Sequence, residues 1–151
     1  MKRTMNLSKN FTLAELTTSQ EAVRSGLKND PNAQQVAALR ALCETVLQPL
    51  RDRLKRPVVV SSGFRSVTLN RRIGGSTTSQ HCKGEAADIM VPGMDTADVV
   101  DLIRAMRLPF DQVIDEFARW VHVSHLLAGG NRGEVLMAWR RGGLTHYRRV
   151  A

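Results

Sequence analysis

Ser79-Gln80-His81-Cys82-Lys83-Gly84-Glu85-Ala86-Ala87-Asp88-Ile89 is the stretch from which the fold is read. A polar segment reaches Gly84, a turn former, and passes into Ala87-Asp88-Ile89-Met90-Val91, a short apolar run closed by Pro92-Gly93. That texture is a loop entering a strand. Upstream, Val58-Val59-Val60 is a β-branched run that predicts another strand, followed by a long polar loop carrying Gly63 and Gly74-Gly75. Downstream, Asp95 or Thr96 caps a helix through Val99, Val100, Ile103 and Met106 that ends at Leu108-Pro109. Gln112 to Glu116 and Arg119 to Ser124 then read as two strands around a short turn, with a third from Glu134 to Trp139. The Arg-rich end after Gly142-Gly143 is either a tail or an edge strand.

The N-terminal part has a different period. Thr12-Leu13-Ala14-Glu15 and Thr18-Ser19-Gln20-Glu21 both place a carboxylate three residues after a hydroxyl, the spacing of a capping box, and predict two short helical segments, the first of about one turn. A longer helix is expected from Pro31 to about Leu54, with Asp30 as its cap, because Val36, Leu39, Cys43, Val46, Leu50 and Leu54 recur at three- or four-residue steps. Pro49 interrupts this pattern and should bend the helix or end it early. The expected fold class is α+β: N-terminal helices packed on a small, mainly antiparallel sheet, all in one domain over residues 1–151.

Composition narrows the function. At 151 residues, with 42% hydrophobic and 24% charged residues, the chain is neither disordered nor membrane-spanning, since no apolar run approaches 18 residues. Met1-Lys2-Arg3-Thr4-Met5-Asn6-Leu7-Ser8 is basic but leads into no apolar stretch, so the protein is expected to be made in the cytoplasm without a secretory signal. Two cysteines, Cys43 and Cys82, are too few for a disulfide framework. A net charge of +8 favours an anionic partner. With 5% aromatic residues and no recognition helix, nucleic acid is not the expected one.

His81 and Asp88 flank Gly84 and are both good zinc donors, and a catalytic zinc site uses three protein ligands. In Trp120-Val121-His122-Val123-Ser124 the valines alternate toward a core, which leaves His122 on the other face as the natural third ligand and His125 on the valine side. Spacing alone also describes a hydrogen-bonded histidine and a turn-capping carboxylate. Cys82, adjacent to His81, points elsewhere and reads as a bystander.

These residues resemble the zinc D-alanyl-D-alanine carboxypeptidases and the related L-alanyl-D-glutamate endopeptidases, a family that includes many phage endolysins. Ser79, His81, Gly84, Ala86 and Asp88 are in register with the family's Ser-x-His-x-x-Gly-x-Ala-x-Asp motif. Val60-Ser61-Ser62-Gly63-Phe64-Arg65-Ser66 is similar to its Ser-Gly-Tyr/Phe-Arg-Ser segment, and Phe110-Asp111-Gln112-Val113-Ile114 with Trp120-Val121-His122-Val123-Ser124 to the segment supplying the last ligand. Phe11-Thr12-Leu13-Ala14-Glu15-Leu16 fits the small, phage-borne branch. The resemblance implies a zinc DD-peptidase (hedgehog-like) fold and one Zn²⁺ per chain held by His81, Asp88 and His122. It implies that Arg65 grips a substrate carboxylate or polarised carbonyl. Peptidoglycan stem peptides are the implied substrate, met by a monomer that is not stably inserted in a membrane and is released to the cell wall through a holin.

The general base departs from the family pattern, which places a Glu three residues before the last His where this chain has Arg119. Glu116 is the leading substitute, because a tight turn at Phe117-Ala118 folds its strand back beside that of His122; Asp111 and Asp115 are the alternatives. Ser79 and Gln80 are candidates for orienting water or substrate, and Trp120, on the face of His122, for walling the substrate groove, with core packing the alternative. Two rival functions are a zinc domain that binds wall peptides without cleaving them and a basic nucleic-acid-binding protein.

Overall fold

The computed structural model describes residues 4–150, so Met1, Lys2, Arg3 and Ala151, and with them the ends of the basic leader and of the Arg-rich segment, lie outside the described residues. The fold is α+β, as expected. A six-stranded sheet has the order β3-β4-β6-β5-β7-β8. Its strands are β3 (Val59–Ser62), β4 (Ala86–Met90), β5 (Gln112–Glu116), β6 (Trp120–Ser124), β7 (Glu134–Arg141) and β8 (Leu144–Arg149). All neighbours pair antiparallel except β5 and β7, which are parallel. β1 (Asn6–Ser8) and β2 (Phe11–Thr12) form a separate small hairpin that the capping signals did not announce. No helix of the described residues is long and apolar enough to cross a membrane.

The helices differ from expectation in instructive ways. Thr12 and Glu15 do exchange the hydrogen bonds of a capping box, yet only turns follow. At the second site the cap is Ser19, which accepts from the Ala22 amide and opens α1 (Gln20–Arg24), while the Thr18 hydroxyl bonds back to the Ala14 carbonyl. The long helix is capped by Asn32, not Asp30. Asn32 and Gln35 form a reciprocal capping box, so Pro31 lies before the cap and α2 runs over Ala33–Leu42.

Pro49 neither ends nor breaks the helical run. A π-helical segment, Cys43–Leu47, joins α2 to α3 (Gln48–Leu54), with the Gln48 amide reaching Cys43, five residues back. The wider turn relieves the proline ring of its clash with the carbonyl four residues back. It also widens the apolar stripe, since Leu42 and Leu47 join Leu39, Cys43, Val46 and Leu50 in full burial, with Val36 and Leu54 at its margins.

This stripe packs into one core with Leu7, Phe11, Leu13 and Leu16, with Ala87, Ile89, Val113, Val121 and Val123 of the sheet, and with Val99, Val100 and Ile103 of α5 (Thr96–Ala105), where Asp95 holds the N-cap position without a side-chain capping bond. Strand side chains alternate between faces, so the residues interleaved with these, Asp88 and His122 among them, project to the opposite face. The supposed loop after β3 contains α4 (Val67–Arg72), capped by Ser66, and a 3₁₀ turn, Gln80–Lys83. The Arg-rich end is the edge strand β8, not a tail.

Candidate active site

Register places two cluster residues side by side. Asp88 on β4 pairs directly with His122 on β6, and β5 brings Ile114 opposite His122 and Glu116 opposite Trp120. Residues paired across a ladder share a face, so Asp88, His122, Glu116 and Trp120 all project to the side away from the core helices. His81 arrives from the 3₁₀ turn, which Gly84 ends in a left-handed conformation, φ 72°, against the backbone of Gln35. A Cβ at Gly84 would lie 2.5 Å from the Gln35 carbonyl oxygen, so glycine is needed there for both reasons.

His81, Asp88 and His122 are all buried, and one donor atom from each lies within 4.8 Å of the others. Asp88 Oδ1 is 3.3 Å from His81 Nε2 and 3.3 Å from His122 Nδ1. Donors of a tetrahedral zinc site with bonds of about 2.0–2.1 Å stand roughly 3.3 Å apart, so the set fits zinc.

The tautomers follow from the surroundings. His81 Nδ1 lies 2.7 Å from the Gly63 carbonyl oxygen, to which it can only donate, so the lone pair sits on Nε2, toward Asp88. Gly63 itself lies so close to Leu16 that a Cβ would meet the Leu16 carbonyl oxygen at 2.3 Å. Gln80 performs the same service for His122. Its amide nitrogen donates to Asp111 Oδ2 at 2.9 Å, which turns its Oε1 toward His122 Nε2 at 3.4 Å and leaves the lone pair on Nδ1. Outer partners of this kind fix ring orientation at metal sites.

The cluster opens into a cleft of about 330 Å³ bordered by Arg65, Ser79, Glu116, Trp120 and Tyr147. Glu116 Oε1 is 3.7 Å from His122 Nδ1. Burial, reinforced by the Asp88 charge, raises the Glu116 carboxyl, and His122 and Arg65 offset this in part. Arg65 is held by Ser79, whose hydroxyl accepts from its Nη2 at 3.2 Å and also from the His81 amide at 3.2 Å. The Arg65 Nε is buried with no acceptor among the described residues. Burial lowers its guanidinium affinity for protons against the pull of Asp88, but a guanidinium stays charged.

Asp111 and Asp115, the alternative bases, are not in this cleft. Asp111 is fully buried and accepts from two Arg132 side-chain nitrogens, Nη2 at 2.7 Å and Nε at 3.0 Å, as well as from Gln80. The Arg132 bonds lower its carboxyl to about 2. Asp115 points to the other face, one residue out of phase with Glu116. His125 bonds the Pro109 carbonyl, outside the cluster. Both cysteines are free, and burial raises the Cys82 thiol, away from thiolate ligation.

Trp120 lies half-buried in the cleft wall, its ring edge-to-face with Phe117 at 5.6 Å, so packing and groove lining coincide. Tyr147 was missed by sequence reasoning. It reaches the cleft from β8 because Ala138, its partner on β7, is small. The available signal was the alternation of Thr145 and Tyr147 once the Arg-rich end is taken as a strand.

Comparison with known proteins agrees with this geometry. Residues 9–124 match the profile of the family described as Peptidase M15. A segment of 81 residues is 38% identical to the zinc D-Ala-D-Ala carboxypeptidase of Streptomyces albus G, covering 53% of this chain and 31% of that protein. The chain thus matches about a third of the length of that curated relative. The His-Asp-His cluster, Arg65 and Glu116 fall inside the family match, whereas β7 and β8 lie beyond it.

Proposed function

We propose, from the premise that the chain belongs to the peptidase M15 family, that it hydrolyses an amide bond in the stem peptide of peptidoglycan with zinc as its cofactor. The observation that carries this reading is the meeting, in one cleft, of a zinc-fitting His81, Asp88 and His122 with Glu116 and Arg65. Zinc, when bound, supplies Lewis acidity that polarises a carbonyl and acidifies water.

The chain's own residues do the rest. Glu116, 3.7 Å from a ligand nitrogen, accepts a proton from the attacking water on its carboxylate and returns it to the leaving amine. Its raised proton affinity suits this double task, since a carboxyl nearer neutrality both takes and gives protons readily. Arg65, set by Ser79, holds the substrate's free carboxylate or the developing oxyanion with charged donors. Trp120 and Tyr147 wall the cleft and limit how the peptide lies. The net charge of +8 favours approach to an anionic wall.

We assign the biological role to host-cell lysis by a phage or prophage, on the resemblance of Phe11-Thr12-Leu13-Ala14-Glu15-Leu16 to the phage-borne branch, with cytoplasmic synthesis and release through a holin. The test of the activity is digestion of purified peptidoglycan with product masses read by mass spectrometry. Chelator-sensitive release of new amines is expected, and the masses tell endopeptidase from carboxypeptidase. Intact muropeptides with one zinc bound per chain would replace the peptidase with a wall-binding module.

A further inference from the structure

Arg65 sits in a stretch that neither ladder nor helix holds. Residues 63–66 link β3 to α4 and belong to neither, yet they supply three parts of the site: the Gly63 carbonyl beside His81 Nδ1, the Arg65 side chain in the cleft, and the Ser66 cap of α4. The guanidinium is tied to Ser79 through Nη2 at 3.2 Å, while Nε is buried with no acceptor among the described residues. A long side chain so lightly tied points where its backbone aims it. The setting of the peptide groups around Arg65 therefore decides where its charge lies.

Those peptide groups are held by a residue outside the cleft. Asn29, 4% exposed, lies between α1 and α2. Its Nδ2 donates to the Phe64 carbonyl at 2.9 Å and to the Thr17 carbonyl at 2.8 Å, and its Oδ1 accepts from the Ser66 amide at 2.7 Å. Both N–H donors and the acceptor of a side-chain amide are thus engaged. The peptide group before Arg65 is bonded at both ends, its carbonyl to Asn29 and its N–H to the His81 carbonyl at 3.1 Å, and the one after it through the Ser66 N–H. The remaining Asn29 bond fastens the assembly to the turn over residues 13–17, where the Leu16 carbonyl receives the Phe64 amide at 2.7 Å and the Thr17 hydroxyl bonds back to the Leu13 carbonyl. A buried amide is costly unless its polar atoms are bonded, so a position that needed only filling would take an apolar side chain at less risk.

We propose that Asn29 is a positioning residue: by holding the peptide groups on both sides of Arg65, it sets the guanidinium in its place beside His81, Asp88 and His122. The proposal rests on the peptidase reading above, in which Arg65 meets the substrate. Asn29 is not among the residues that border the cleft, so its effect passes through Arg65. Misplacing a binding group by about 1 Å costs on the order of 10²-fold in rate.

Two measurements on the zinc-loaded full chain decide it. Each compares Asn29→Ala with the variant of the fully buried Leu50, to valine or alanine, that matches its melting temperature and so controls for stability alone. The first is a double-mutant cycle. Asn29→Ala should lower kcat/KM for a stem peptide by about 10- to 100-fold with one zinc retained. The Leu50 variant should lose less than about twofold, and Asn29→Ala should add less than about twofold once Arg65 is replaced by alanine. Losses that multiply in the double variant, loss of the zinc, or an equal loss in the Leu50 variant overturn the assignment. The second measurement needs no substrate. The ¹⁵N-labelled Arg65 Nε–H signal, identified by its absence from Arg65→Ala, should exchange slowly with water in the wild type, because the atom is buried. Exchange should be at least about tenfold faster in Asn29→Ala and unchanged in the Leu50 variant. Equal exchange in Asn29→Ala and wild type overturns the assignment too. Should Asn29→Ala not fold, Asn29→Asp, which keeps the acceptor for Ser66 and loses both donors, takes its place under the same criteria. Should the wild type cleave no stem peptide, the peptidase reading fails, and the exchange measurement alone still decides what Asn29 holds.

Discussion

The strand pair β4–β6 and the strand pair β7–β8 belong to the same sheet, yet their side chains are positioned by different means. In β4–β6, Asp88 and His122 are direct partners, both nine-tenths buried, and each is tied to an outer residue or a second ligand. In β7–β8, Tyr147 and Trp139 stand on an edge hairpin with 56% and 38% of their surface exposed. Buried polar groups require partners, and that requirement determines a unique geometry; exposed aromatics carry no such obligation. On the proposed peptidase reading, the inner pair carries the chemistry and Tyr147 of the outer one bears on how the substrate lies.

The largest effects should therefore come from the inner pair. Asp88→Ala leaves two histidines without their shared carboxylate and should abolish both zinc binding and hydrolysis. Zinc should raise the melting temperature of the wild type, by binding only the folded state, and leave that of Asp88→Ala unmoved. Zinc-dependent stabilisation surviving in Asp88→Ala would break the comparison at its strongest point. Glu116→Gln keeps shape and ligands, so it should retain one zinc while kcat falls by about 10²- to 10⁴-fold, the usual worth of a general base. A fall matched by loss of zinc would show Glu116 holding the metal instead of moving protons.

The inner pair was also the legible part. The alternation of Val121 and Val123 around His122 is a direct consequence of strand geometry, and the loop-to-strand texture around Gly84 located Asp88. Strand alternation puts Glu116 and Asp115 on opposite faces, and the three residues between Glu116 and its partner Trp120 set Glu116, not Asp115, on the face of His122. What stayed hidden depends on partners far away in the chain. Asn32, not Asp30, caps the helix because Gln35 answers it, and the π-helical turn that absorbs Pro49 has no periodic signature. Asp111 resembled a titrating carboxylate until Arg132, 21 residues on, was found to neutralise it. Tyr147 sits in a stretch whose exposed, charged neighbours carry no hydrophobic period, so its place in the cleft follows only from the register of β7 with β8.

Asp111 joins the two regions, because Arg132 comes from the loop leading to β7 while Gln80 serves His122. Asp111→Asn should weaken zinc affinity or activity by about 10- to 100-fold, as losses of outer partners at metal sites do, and should shift the ¹⁵N signals of the His122 ring. Acid stability follows with a definite sign. The folded carboxyl sits at about 2 and the unfolded one near 3.9. Its contribution is present in full above about pH 4 and is lost as pH falls toward 2. Asp111→Asn should thus flatten that part of the acid unfolding curve. An unchanged acid limb would mean the Arg132 pair contributes nothing to folding.

The smallest effect is expected at Tyr147, and it tests the division most finely. Its ring borders the cleft, and burial together with the Glu116 charge raises its proton affinity so that it stays neutral near neutral pH. Tyr147→Phe removes only the hydroxyl; Tyr147→Ala removes the wall. If the outer pair selects substrate, Tyr147→Phe should alter kcat by less than about threefold, while Tyr147→Ala raises KM with kcat nearly unchanged, the mark of lost uniform binding. If instead Tyr147→Phe lowers kcat as far as Tyr147→Ala does, the hydroxyl acts on the reacting atoms. The chemistry would then extend from the inner strands to the edge of the sheet, into a hairpin that the family match does not cover.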